Sequence, residues 1–147
     1  MEEKKKKKVF IDGPISAQFI ADSISKHSSK KNIGAHNIFL GQIRQDKIND
    51  EQVIAIEYTC YKEMAEPILD AIREDCFVKY PLTCLHIYHS LGLVNAGEIC
   101  LFVFTSSAHR QAAIEACSYL VERIKKEVPI WGKEILSDTS SVWKNNQ

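Results

Sequence analysis

The chain has 147 residues, enough for one domain with a substantial core. Nineteen Lys and Arg balance nineteen Asp and Glu, which excludes a general nucleic-acid-binding surface, since such a surface needs excess positive charge. The apolar fraction of 45% is ordinary for a globular protein, and no apolar run approaches the ~18 residues of a membrane span.

Residues 1–8 end in a run of lysines and read as a disordered, solvated basic tail; residues 9–147 read as a single domain. No signal-peptide core follows the tail. Val9-Phe10-Ile11 predicts a short strand closed by the turn Asp12-Gly13-Pro14. Ser16 is placed to cap a helix whose apolar face is Phe19, Ile20 and Ile24. Residues 27–32 are polar and predict a loop. Residues 34–43 predict a strand ending near Gly41, residues 45–52 a charged loop, and residues 53–61 a second strand pairing antiparallel with the first.

The next helix carries Met64, Ile68, Leu69, Ile72 and Cys76 on its apolar face, and Pro67 requires a place in its first turn. Pro81 marks its end. Residues 85–88 and 98–105 predict two strands joined through a loop at 92–97, the second central and buried. Ser107 is expected to cap the last long helix, whose stripe is Ala113, Ala116, Cys117, Leu120, Val121, Ile124 and Val128. Pro129 stops it, and a short tail follows with Trp131 and Trp143. Three main helices interleaved with paired strands predict an α+β fold with a mostly antiparallel sheet.

Cys60, Cys76, Cys84, Cys100 and Cys117 are odd in number and form no C-x-x-C pair, which points to buried thiols in a reduced, cytoplasmic protein. Cys84, His86 and His89 have metal-ligand spacing. Strand alternation places Cys84 and His86 on one face and His89 on the other, and no fourth ligand is evident, so no metal is assigned. No G-x-S-x-G, P-loop or G-x-G-x-x-G occurs, and no cofactor is expected.

Candidate chemistry concentrates on the last helix. His109 and Arg110 stand at its start, where unpaired backbone N–H groups and an arginine fork suit a phosphate or carboxylate. Lys125 and Lys126 stand near its end. Adjacent helical residues point about 100° apart, and Lys125 borders the apolar stripe, where a desolvated amine becomes a usable acid or base. His109 and Lys125 are about 24 Å apart along a straight helix, so they cannot meet at one small reacting centre in one subunit. The site is therefore elongated or shared across a dimer. Arg44 follows the strand that ends near Gly41.

These residues fall into ordered motifs. Gly34-Ala35, Phe39, Gly41 and Arg44 resemble the pattern G-A-x-x-x-F-x-G-x-V-R. Ile56-Glu57-Tyr58, Tyr61 and Met64 resemble L-E-Y-x-x-Y-x-x-M. His89, Gly92 and Gly97-Glu98 are similar to H-R-I-G…G-E, and Ser107-Ala108-His109-Arg110, Lys125 and Pro129-Ile130-Trp131 to S-x-H-R…K…P-I-W. The set runs in order from about Ile33 to Trp143 and resembles the catalytic (large) subunit of molybdopterin synthase.

The resemblance implies an α/β-hammerhead-type fold and a homodimer. Each large subunit would bind one small ubiquitin-like sulfur-carrier subunit, giving a heterotetramer. The carrier's Gly-Gly C-terminus, as a thiocarboxylate, would deliver sulfur to cyclic pyranopterin monophosphate and form the molybdopterin dithiolene. Neither a nucleic-acid nor a membrane partner is implied. Lys125 matches the family's essential pocket lysine; Arg44, His109 and Arg110 match its basic anchors for phosphate and pterin; Phe39 matches a pocket-lining aromatic. Two positions depart from the pattern. The family commonly has a second pocket lysine directly after the tryptophan, where this chain has Gly132, and Ser90 stands where arginine is frequent. Lys133 is expected to replace the missing amine if the glycine lets the chain turn. If the segment stays extended, Lys133 faces the other way. The alternatives are a weakly catalytic module that docks pterin and carrier, and a phosphate-ligand protein unrelated to sulfur transfer.

Overall fold

The computed structural model describes residues 8–144, so the expected disorder of the tail concerns residues outside the described range, apart from Lys8. The backbone of the fold is an antiparallel path of six strands, β2-β6-β5-β4-β7-β8. These are β2 (Ala35–Gln42), β4 (Glu51–Cys60), β5 (Cys84–Asn95), β6 (Ile99–Ser107), β7 (Ile130–Leu136) and β8 (Ser141–Trp143). Two short strands sit off the path: β1 (Phe10–Asp12) runs parallel to β5, and β3 (Lys47–Ile48) pairs with β4. Three helices complete it, α1 (Ala17–Lys26), α2 (Lys62–Lys79) and α3 (Arg110–Glu127). The α+β class with a mostly antiparallel sheet and three helices is as the sequence indicated.

Strand β6 explains how the layers form. Alternate side chains of a strand point to opposite faces. Leu101 and Val103 enter the large core with Leu69 and Ile72 of α2 and Leu120 and Ile124 of α3. Phe102 and Phe104 face the other way and form a second cluster with Ile20 and Phe19 of α1. Helices α2 and α3 therefore cover one face, and α1 covers the other. Both kinds of face are apolar, which is why β6 reads as a continuous hydrophobic run.

Strand β5 joins two halves of the sheet. Its first part, Cys84 to His89, pairs with β6, and its last part, Gly92 to Asn95, pairs with β4. At the changeover Gly92 has φ +81°, a left-handed conformation that a β-carbon disfavours.

Several expectations are corrected. The strands at 34–43 and 53–61 are not neighbours; β6 and β5 lie between them, because the buried β6 supplies the ladder for both β2 and β5. The charged stretch at 45–52 is a tight hairpin, with Asn49 and Asp50 at positive φ. The β5 strand continues through Gly92 to Asn95 instead of ending at Tyr88. Met64 is exposed, and Ala65 takes the buried position on α2. Pro67 is the sixth residue of α2, counting from Lys62, so it lies beyond the first turn and a helical bond is forgone. The expected tail after Pro129 is the β7–β8 hairpin, fastened along β4.

Candidate active site

Lys125 stands on the last turn of α3, where the sheet halves meet. A small cavity of about 40 Å³ lies there, lined by Lys125, Tyr58, His89, Cys100, Ile130 and Lys144 among others. The walls come from six segments: β4, β5, β6, α3, β7 and the chain after β8. The cavity exists because β5 changes partners at this seam.

The polar walls are held in an ordered state. Tyr58 Oη donates to Cys100 Sγ at 3.6 Å, and Cys100 Sγ donates to the Gly41 carbonyl at 3.4 Å. Burial pushes the Tyr58 hydroxyl well above the usual phenol range, so it remains a neutral donor. His89 Nδ1–H donates to the Ser90 carbonyl at 2.7 Å, and its ring meets Tyr58 edge-on at 4.9 Å. Burial, reinforced by the charge of Lys125, lowers the His89 pKa to about 4 despite the bond to Ser90. His89 is therefore a neutral imidazole at physiological pH, and the lysines among the lining residues are Lys125 and Lys144.

The segment after Pro129 stays extended as β7, with Gly132 opposite Tyr58 and Lys133 opposite Glu57. Lys133 lies 3.6 Å from the Glu57 carboxylate and 5.9 Å from the centre of the Trp143 ring. It does not line the Lys125 cavity. The expected entry of Lys133 is thus corrected within this chain: period-two alternation sends residues 132 and 133 to opposite faces. Lys144 lines the cavity instead, and its backbone N–H donates to the Gly132 carbonyl at 2.8 Å.

His109 and Arg110 lie at the opposite end of α3. His109 is the N-cap residue and Arg110 the first helical residue; no side chain caps the exposed first turn. Ser107, expected as the cap, is buried as the last residue of β6, and its hydroxyl donates to the His109 carbonyl. Thr105 Oγ1 also donates to the Ala113 carbonyl at 2.6 Å, which fixes α3 on β6. His109 borders a separate cavity of about 430 Å³ beside Lys79, Tyr80 and Gln111. No residue is shared between the two cavities, as the helix length requires.

Gly34 sets the position of this helix start. Its N–H donates to the Ser107 carbonyl at 3.0 Å, and a β-carbon on it would stand 2.1 Å from the Ala108 carbonyl oxygen. Arg44 is exposed and pairs with Asp46 at 3.3 Å. Phe39 is half-buried in β2 opposite Val103, and it does not line the Lys125 cavity. The structure thus gathers Lys125 with Tyr58 and His89, and leaves Arg44, Phe39, His109 and Arg110 elsewhere on the same chain.

Tyr58, Cys100 and Lys144 were not singled out for roles from sequence. Tyr58 sat inside a recognised motif and could have been found there. Cys100 read as an ordinary buried thiol, and Lys144 depends on the β7–β8 hairpin, which has no strong local signal.

Residues 12–127 match the family model described as MoaE protein. The molybdopterin synthase catalytic subunit of Homo sapiens is 35% identical over 147 residues, covering 100% of this chain and 77% of that protein. The Bos taurus catalytic subunit is 37% identical over 132 residues, covering 90% and 69%. The crystal structure of molybdopterin synthase from Staphylococcus aureus superposes with a TM-score of 0.81 at 31% identity, covering 93% of this chain and 96% of that one. A Helicobacter pylori protein–protein complex of subunits 1 and 2 of molybdopterin-converting factor contains a chain with the same fold, at TM-score 0.78 and 19% identity, covering 95% and 90%.

Proposed function

The chain belongs to the MoaE family of molybdopterin synthase catalytic subunits, and we propose that it transfers sulfur from a thiocarboxylated carrier to cyclic pyranopterin monophosphate. The carrier is a small ubiquitin-like subunit whose C-terminal Gly-Gly reaches the Lys125 cavity in extended form. Two transfers build the dithiolene of molybdopterin. The observation that carries this reading is the placement of Lys125 beside a neutral His89 and the Tyr58 hydroxyl, in a cavity walled by six segments.

In this site the Lys125 ammonium attracts the anionic thiocarboxylate and stabilises charge that develops as sulfur attacks the pterin. It would give a proton to the oxygen that leaves the pterin carbon as the new C–S bond forms; water then hydrolyses the resulting carrier–pterin thioester, breaking the carrier's C–S bond and releasing the carrier as a carboxylate. Tyr58, whose one hydroxyl hydrogen goes to Cys100, presents its oxygen as an acceptor in the same wall. Lys144 supplies the further cation that Lys133 does not. The weakly catalytic docking module is the alternative reading, and turnover separates the two.

Arg110, His109 and Arg44 anchor the phosphate and pterin, with Phe39 against the ring. They are remote from Lys125 in one chain, so they serve a Lys125 cavity only when a second copy brings them to it. A homodimer carrying two small subunits, a heterotetramer, meets this requirement in a reducing cytoplasm. None of the described helices is long and apolar enough to cross a membrane.

Reconstitution tests the proposal. The chain is mixed with thiocarboxylated carrier and cyclic pyranopterin monophosphate, and dithiolene product is measured. The expected result is two sulfurs transferred per pterin. Carrier and pterin binding without product would identify a docking module instead. Arg110→Ala and Arg44→Ala are expected to weaken pterin binding about tenfold or more while carrier affinity holds.

A further inference from the structure

The face of the sheet that packs on α1 carries a second group of chemically capable side chains. His27, Cys84 and His86 offer ligand atoms that all lie within 4.8 Å of one another. His27 is the C-cap residue of α1, while Cys84 and His86 alternate along the start of β5. Their parity puts them on the face of Tyr88 and Phe104; His89 points to the Lys125 cavity on the other face. The group is therefore separate from the sulfur-transfer site.

Its geometry suits a metal. His27 Nδ1–H donates to the Ser23 carbonyl at 2.7 Å, which leaves the Nε2 lone pair aimed at the cluster. This is the outer hydrogen bond that fixes the tautomer of metal-ligating histidines. His27 Nε2 lies 3.0 Å from His86 Nε2. A tetrahedral zinc with ordinary bond lengths needs about 3.3 Å between nitrogens and about 3.6 Å from nitrogen to sulfur. The two imidazole nitrogens need to part by a few tenths of an ångström, and any nitrogen–sulfur pair near the 4.8 Å limit needs to close by about 1 Å, within side-chain rotation. His27 and Cys84 are buried, and Phe104 packs edge-on to the His27 ring at 4.8 Å. Lys30 Nζ donates to Cys84 Sγ at 2.8 Å from an exposed loop, so it can swing away when an ion takes the sulfur. A cavity of about 670 Å³ borders His27 and His86 and admits a solvent molecule as fourth ligand.

We propose that His27, Cys84 and His86 form a binding site for a borderline-soft divalent ion of the zinc class, on the face of the sheet opposite Lys125. The donor set of two imidazoles and one thiolate selects such ions over magnesium or calcium. The ion joins the end of α1 to the start of β5, two segments 57 residues apart between His27 and Cys84, and stabilises the fold by binding the native state alone.

The test uses the full chain without an affinity tag, stripped with chelator under reducing conditions. Zinc alone is titrated against a chromogenic competitor, and cobalt alone serves as the spectroscopic probe. The expected result is one equivalent of zinc per chain, a raised Tm, and a sulfur-to-cobalt charge-transfer band. Cys84→Ser should abolish the band, whereas Cys60→Ser should keep it. His27→Gln and His86→Gln should each weaken zinc about tenfold or more. Far-UV circular dichroism checks that each variant is folded. If one is not, the wild-type cobalt band and Tm shift still decide. Substoichiometric zinc, a cobalt spectrum without the thiolate band, or wild-type zinc affinity in the folded ligand variants would overturn the site.

Discussion

Gly132 stands directly opposite Tyr58 across the β4–β7 ladder, and a β-carbon on it would lie 3.1 Å from the Tyr58 ring and 2.9 Å from Ile56 Cγ2. The space that a pocket lysine would need is thus taken by the Tyr58 and Ile56 side chains. Gly132→Lys should destabilise the fold by about 1–3 kcal/mol, because a branched core side chain must move. Urea denaturation checks this, and an unchanged midpoint would show that the position is open.

The same ladder separates the two remaining lysines. Lys133 faces Glu57, and Lys144 faces the cavity. Lys133→Ala should leave turnover within about twofold, since a half-exposed ion pair away from the cavity contributes little. Lys144→Ala should reduce turnover at least about tenfold. Steady-state assays of both variants test the assignment; the reverse order of effects would restore Lys133 to the site.

Gly34 abuts the Ala108 carbonyl, so its missing side chain fixes how β2 meets the turn into α3. Gly34→Ala should cost about 1–3 kcal/mol and displace His109 and Arg110. The expected signature is a lower urea midpoint together with weaker pterin binding. A variant with wild-type stability would contradict the close approach.

His89 makes stability depend on pH. Its folded pKa, about 4, lies below the ordinary histidine value of ~6.5, so between these limits the unfolded chain binds more protons. Stability therefore falls as pH drops from ~6.5 towards ~4, by about 3 kcal/mol in total from this group. Lys125, Tyr58, Cys100 and Lys144 face the same cavity. In His89→Asn, stability should fall less between pH 7 and pH 4.5 than in the wild type, as measured by urea unfolding at each pH. Identical pH profiles would mean that His89 is accessible to protons in the folded state.

The helices were legible because their apolar periodicity is strong, and β6 because it is continuously apolar. Strand neighbours were not legible: pairing of β2 with β6 joins residues about sixty to seventy apart, from Gln42 with Ile99 to Ala35 with Ser107, and no local pattern encodes that. The β7–β8 hairpin was read as tail because Gly132 and Lys133 interrupt its alternation. The position of Lys125 on the last turn of α3, beside its apolar stripe, was legible. Its surroundings were not, since Tyr58, His89 and Cys100 meet only where β5 changes partners. His27 escaped notice because it lies in a polar loop, far in sequence from Cys84 and His86.

Sulfur transfer through Lys125 is tested most directly by single-turnover kinetics with thiocarboxylated carrier and cyclic pyranopterin monophosphate, comparing wild type with Lys125→Ala. The wild type should form dithiolene. The variant should keep its circular dichroism and its carrier affinity and lose at least about a hundredfold in rate, a loss typical of removing a group that stabilises charge in the transition state. A folded, carrier-binding Lys125→Ala protein with near-normal rate would contradict the assignment.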